Sequence, residues 1–127
     1  MSRNIIAILR GVRPYEVVEI TGALLDCGIT KIEVSLNSPD PFESIAAIIQ
    51  QFDNHAIIGA GTVLTVSDVH QIRDVGGKLV VSPNCNPEVI AATKTAGLMS
   101  YPGVMTPTEC FTALYAGADV LKFFPGN

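Results

Sequence analysis

The chain has 127 residues, 48% of them hydrophobic and 16% charged, which excludes a disordered polypeptide and suits one domain with a substantial core. Eight Lys and Arg against twelve Asp and Glu give a net charge of −4 with no basic run. That balance argues against nucleic acid or an anionic membrane as partner and for a small-molecule ligand. No apolar run approaches the ~18 residues that span a bilayer. Met1 to Asn4 leads into a strand-like segment without a signal-peptide pattern, so a cytoplasmic location is expected.

Ile5 to Leu9 reads as the first strand, and Pro14 opens a helix that stops at Gly28. Lys31 to Leu36 is the second strand, followed by an Asn37-Ser38-Pro39 turn and a helix from Pro41 that carries Ile45, Ile48, Ile49 and Phe52 on one face. The third strand is Ala56 to Ala60, with Gly61-Thr62 at its end and a helix that Ser67 would cap, running to Val75. Lys78 to Val81 is the fourth strand, Ser82-Pro83-Asn84 its turn, and Pro87 to Ala96 the next helix. Leu98 to Tyr101 is the fifth strand. Pro102-Gly103 reads as a turn, Thr106 and Glu109 have capping-box spacing before a helix from Pro107 to Ala116, and Asp119 to Phe124 is the sixth strand.

Strands alternating with helices across short connections imply parallel strands and an α/β fold. Five βα units plus a strand fit an incomplete (β/α)8 TIM barrel better than a doubly wound sheet. The only candidate for a dinucleotide fingerprint, Gly59-Ala60-Gly61, has Leu64 where a third glycine is required. Cys27, Cys85 and Cys110 lie outside any ligand or disulfide spacing and read as small buried hydrophobes. His55 and His70 read as surface residues, and no metal or cofactor is expected.

Strand parity isolates the ionisable residues. In the second strand Ile32, Val34 and Leu36 share one face, which leaves Glu33 on the other, pointing into the barrel. In the last strand Lys122 shares a face with Val120 and Phe124. A desolvated lysine loses proton affinity, and the neutral amine is the form that attacks a carbonyl to give a Schiff base. Each residue also has a plainer reading: Lys122 as an edge lysine snorkelling to solvent, Glu33 as half of a structural ion pair. Arg10 has the parity of Ile6 and Ile8, at the mouth where barrel sites lie, and suits a carboxylate or phosphate. Thr62 and Pro83 also sit at strand ends, where they serve equally as turn residues.

Six segments together carry a family resemblance: IAILRG at Ile6 to Gly11, IEVSLNSP at Ile32 to Pro39, IGAGTVL at Ile58 to Leu64, VSPN at Val81 to Asn84, YPGVMTPTE at Tyr101 to Glu109, and LKFFP at Leu121 to Pro125. In this order, over essentially the whole chain, they resemble the class I aldolases that cleave 2-keto-3-deoxy-6-phospho sugar acids. The resemblance implies that Lys122 forms the Schiff base, Glu33 shuttles protons, Thr62, Pro83 and Phe124 surround the pyruvyl group, and Arg10 lies near the acidic groups. It implies no cofactor, a phosphorylated keto sugar acid and pyruvate as ligands, and a homo-oligomer, a trimer in the family.

Leu36-Asn37-Ser38-Pro39, with the AILRG and SPN segments, resembles the galactonate-type branch, whereas gluconate-type enzymes usually carry an arginine in a TLRT-like segment. The implied reaction is cleavage of 2-dehydro-3-deoxy-6-phosphogalactonate to pyruvate and glyceraldehyde 3-phosphate. The alternatives are the gluconate or 4-hydroxy-2-oxoglutarate type, other barrel enzymes acting on phosphorylated sugars, and an inactive self-associating fragment. The family's glycine-rich phosphate site after strand seven and its contacts after strand eight have no counterpart here. Residues 1–127 are therefore expected to be a single partial barrel domain lacking its C-terminal units, with open strand edges and weak activity of its own.

Overall fold

The β-branched runs pair into one parallel sheet in a computed structural model that describes residues 3–125. Its strands are β1 (Arg3–Leu9), β2 (Ile29–Ser35), β3 (Ile57–Gly61), β4 (Leu79–Val81) and β5 (Met99–Tyr101), side by side in chain order. Helices α1 (Pro14–Asp26), α2 (Pro41–Phe52), α3 (Val66–Asp74) and α4 (Pro87–Thr95) connect them. After β5 come β6 (Gly103–Val104), α5 (Pro107–Ala116) and β7 (Lys122–Phe123), with β6 and β7 paired in parallel.

A doubly wound sheet reverses its strand order at a switch point; this sheet does not. With right-handed crossovers and strictly sequential order, every connecting helix falls on the same face. The other face must then curl on itself to be buried, which is the barrel arrangement.

The burial pattern follows strand parity. Leu9, Ile32, Val34, Ile58, Ala60 and Val80 pack with helix residues such as Val17, Ile45, Ile48, Val69 and Ile72 in the outer core. The opposite parity forms a smaller inner core of Leu79, Val81 and Tyr101, with Ile6, Ile57 and Met99 against it. Glu33 is opposite Ile8 in β1 and Gly59 in β3, on the inner parity as expected. Two residues earlier, Lys31 Nζ donates to the Tyr101 hydroxyl at 3.4 Å, spanning the interior from β2 to β5.

Helix ends mostly follow local signals. Pro14, Pro41, Pro87 and Pro107 each stand at the first position of a helix, where a missing N–H costs nothing. Thr106 Oγ1 accepts from the Glu109 amide at 3.2 Å, and Glu109 Oε1 accepts from the Thr106 amide at 3.0 Å, so the capping box is present. The cap of α3 is Thr65, not Ser67: Thr65 Oγ1 accepts from the Asp68 amide at 3.0 Å, and Ser67 lies inside the first turn.

Three further expectations are corrected. The last strand is limited to Lys122–Phe123, because the Asp119 carboxylate instead accepts from the Ser100 amide at 2.7 Å and pairs with Lys94 at 2.8 Å. Gly103 is in strand β6 rather than a turn; a Cβ there would overlap the backbone of Pro83, so glycine permits close strand approach. Cys27 is exposed at the C-terminus of α1, while Cys85 and Cys110 are half-buried beside the Ile90, Val104 and Ala113 cluster. His55 and His70 are exposed, and no described helix is long and apolar enough to cross a membrane.

Candidate active site

Arg10 follows β1, Glu33 lies in β2, Thr62 follows β3, Pro83 follows β4, and Lys122 and Phe124 come from β7 and the residue after it. With Ile8 they line one cavity of about 400 Å³ at the carboxyl ends of the strands, within the range of small-molecule sites. All six residues singled out in the sequence thus meet in one place. A surface cleft of about 450 Å³ along Arg13, Tyr15, Asp40 and Glu43 contains none of them, and its charged residues are all exposed. Among the described residues there is no group of three or more His, Cys, Asp or Glu that could hold a metal ion.

Glu33 is 4% exposed. Burial pushes its carboxyl above the ordinary 4.5, and the positive charges of Lys122 and then Arg10 pull it part of the way back. It therefore holds a proton more readily than a surface glutamate while facing an amine, a combination suited to proton shuttling.

Lys122 is fixed by backbone pairing on both sides: its amide donates to the Pro102 carbonyl at 2.9 Å and the Phe124 amide donates to the Val104 carbonyl at 3.2 Å. Its ammonium lies 4.6 Å from the centroid of the Phe124 ring, within cation–π range. Below the mouth, Lys122 and Glu33 also border an apolar cavity of about 250 Å³ with Ile6, Ile8, Val81 and Tyr101. The two functional groups stand where a polar mouth meets an apolar interior.

The sequence reading missed the residues that shape this constellation. Ser35, fully buried, has its hydroxyl 3.1 Å from Thr62 Oγ1 and accepts the Asn37 amide at 3.3 Å. Thr62 is held at φ +59°, uncommon for a residue with a Cβ and typical of places where surrounding structure imposes the backbone. Gly61 was read at a strand end, in an incomplete fingerprint and within the IGAGTVL segment, but without a role of its own, yet a Cβ at this position would overlap the Glu33 carboxylate.

Gly61→Ala is accordingly expected to displace the Glu33 carboxylate and to slow any reaction that carboxylate serves about 10²-fold, as a misplacement of about 1 Å of a reacting group can. The overlapped atoms end a flexible side chain, so the melting temperature should fall by about 5 °C or less. Steady-state kinetics beside calorimetry check this; unchanged turnover would mean Glu33 needs no such room.

An amine and a buried carboxyl facing one cavity can form an imine with a carbonyl ligand and move protons on its adjacent carbons. Comparison with known proteins gives the family. The family model for aldolases of the KDPG and KHG type matches residues 1–127. The chain belongs to this family.

The chain is 51% identical, over all 127 of its residues, to the probable 2-dehydro-3-deoxy-6-phosphogalactonate aldolase of Rhizobium meliloti strain 1021, of which it covers 60%. It superposes on a native KDPGal structure with a TM-score of 0.95 at 43% identity, covering 100% of this chain and 64% of that one. A KDPG aldolase from Legionella pneumophila with pyruvate captured as a covalent carbinolamine intermediate aligns with a TM-score of 0.87 at 28% identity, covering 94% of this chain and 58% of that one. The chain spans about 60% of the length of the curated relatives that it matches at 51% and 45% identity.

Proposed function

We propose that this protein is a class I aldolase that reversibly cleaves 2-dehydro-3-deoxy-6-phosphogalactonate to pyruvate and glyceraldehyde 3-phosphate. The observation that carries the reading is the convergence of Lys122, Glu33, Arg10, Thr62, Pro83 and Phe124 on one cavity. Neutral Lys122 Nζ attacks the C2 carbonyl, and loss of water gives an iminium. The Glu33 carboxylate takes the proton of the C4 hydroxyl, the C3–C4 bonding pair moves into the iminium to give an enamine, and the aldehyde leaves. Glu33 returns the proton to C3, and water hydrolyses the resulting iminium to release pyruvate and free the lysine.

In this reading Arg10 and Thr62 hold the acidic end of the pyruvyl group, with Pro83 and Phe124 packing against its apolar atoms. The galactonate preference draws support from the 51% identity to a relative of that name. A homotrimer is part of the same proposal, and Phe111, Leu114 and Tyr115, exposed at positions that share one face of α5, offer apolar surface for self-association.

The test is chemical. Pyruvate with sodium borohydride should reduce the Lys122 iminium to a stable secondary amine, and peptide mass mapping should find the reduced pyruvyl group on Lys122 alone. A tag on another lysine, or none, would overturn the assignment.

A further inference from the structure

Arg10 is the first residue beyond β1; its side chain is exposed and forms no salt bridge among the described residues. What aims it is its backbone. The Arg10 carbonyl and the Gly11 amide share one rigid peptide plane, so whatever fixes the Gly11 N–H also fixes ψ of Arg10 and, with β1 holding its N and Cα, the direction in which its Cα–Cβ bond leaves the chain. That N–H donates to Ser38 Oγ at 2.9 Å, across 27 residues of sequence. Gly11 itself adopts φ +79°, a conformation other residues resist.

The acceptor is well held. Ser38 is 5% exposed, and its own amide donates to the Ser35 carbonyl at 2.9 Å. Ser35 in turn contacts Thr62. One chain of hydrogen bonds therefore joins the ends of β1, β2 and β3 and connects the two residues assigned to the acidic end of the ligand. Neither Ser35 nor Ser38 lines the cavity.

We propose that Ser38 is a positioning residue that pre-sets Arg10 for the ligand carboxylate through the Gly11 amide, with Ser35 holding Thr62 to the same purpose. This rests on the reading of Arg10 as a ligand contact. A long arginine side chain loses rotamer freedom when it binds, and pre-setting its backbone reduces what must be ordered at that moment. Loss of the Ser38 hydroxyl would leave the Gly11 amide to water, since Gly11 is exposed, so the fold should survive.

The experiment follows pyruvate concentration dependence in borohydride trapping at Lys122, beside hydrogen exchange at the Gly11 amide. Ser38→Ala should abolish Gly11 protection and raise half-saturating pyruvate about three- to tenfold, with the maximal trapping rate within about twofold of the unmodified chain. In an Arg10→Ala background the Ser38→Ala shift should vanish. Lost Gly11 protection with unchanged half-saturation, or a shift of the same size without Arg10, would overturn the proposal. If Arg10→Ala alone leaves half-saturation unchanged while trapping persists, the role given to Arg10 fails and Lys122 keeps its own.

Discussion

Replacing Lys122 with methionine is expected to abolish pyruvate trapping and slow aldol cleavage by on the order of 10⁴-fold or more. Methionine retains an unbranched stem of similar reach, so packing against Phe124 and the wall of the inner cavity should persist. The backbone bonds that hold β7, from the Lys122 amide to Pro102 and from the Phe124 amide to Val104, do not involve the side chain at all. The melting temperature should therefore change by about 3 °C or less. Without the amine no imine forms, and the bonding pair released at C3 has no electron sink. Trapping followed by mass spectrometry, stopped-flow cleavage and a thermal melt check the three parts together. Substantial turnover in Lys122→Met with loss in a Glu33 variant would point to proton-transfer chemistry of the sort other barrel enzymes carry out.

Most of the architecture was legible because it is written in local periodicities. The alternation of Ile32 and Val34 with Glu33 and Ser35 fixes which side chains enter the barrel, and β2 obeys it. Prolines at helix starts and the Thr106 and Glu109 pair act within a single turn, so reading them needs no tertiary information. Two of the errors arose where a long-range partner overrode a local signal, whereas the Thr65 cap of α3 was a local signal assigned two residues too late. Asp119 lies in a run of strand formers, but Ser100 and Lys94 claim its carboxylate. Gly103 resembles a turn residue, but its lack of a side chain serves the approach of Pro83.

The site divides along the same line. Lys122, Glu33 and Arg10 were visible because ionisable groups on an inward parity are costly and stand out. Ser35, Ser38 and Gly61 were not: a serine hydroxyl bonded to an amide 27 residues away leaves no spacing signature, and the room a glycine provides is invisible until its neighbour is placed. The residues that carry charge are recognisable singly, whereas those that aim them are recognisable only as pairs.

Glu33→Gln should separate catalysis from stability. Turnover is expected to fall about 10²- to 10⁴-fold, because the amide can neither take the C4 hydroxyl proton nor return it to C3. Stability should move the other way, and only at one end of the pH range. Burial raises the Glu33 carboxyl above its ordinary 4.5 despite Lys122 and Arg10, so the native state binds this proton more tightly than the unfolded chain. Below about pH 4 both states are protonated and the buried charge costs nothing. As pH rises from the ordinary value through the raised one, ionisation in the native state becomes a growing penalty, complete above the raised value. Glutamine reproduces the shape of the protonated side chain without that penalty. Glu33→Gln should thus melt higher than the unmodified chain at pH 7.5 and at the same temperature near pH 4, with the difference appearing across the window between. A variant less stable at pH 7.5 than at pH 4, relative to the unmodified chain, would show that Lys122 and Arg10 more than offset the desolvation of the carboxylate. Glu33 would then be held as a structural ion pair, and its proton would have to be sought elsewhere in the cavity.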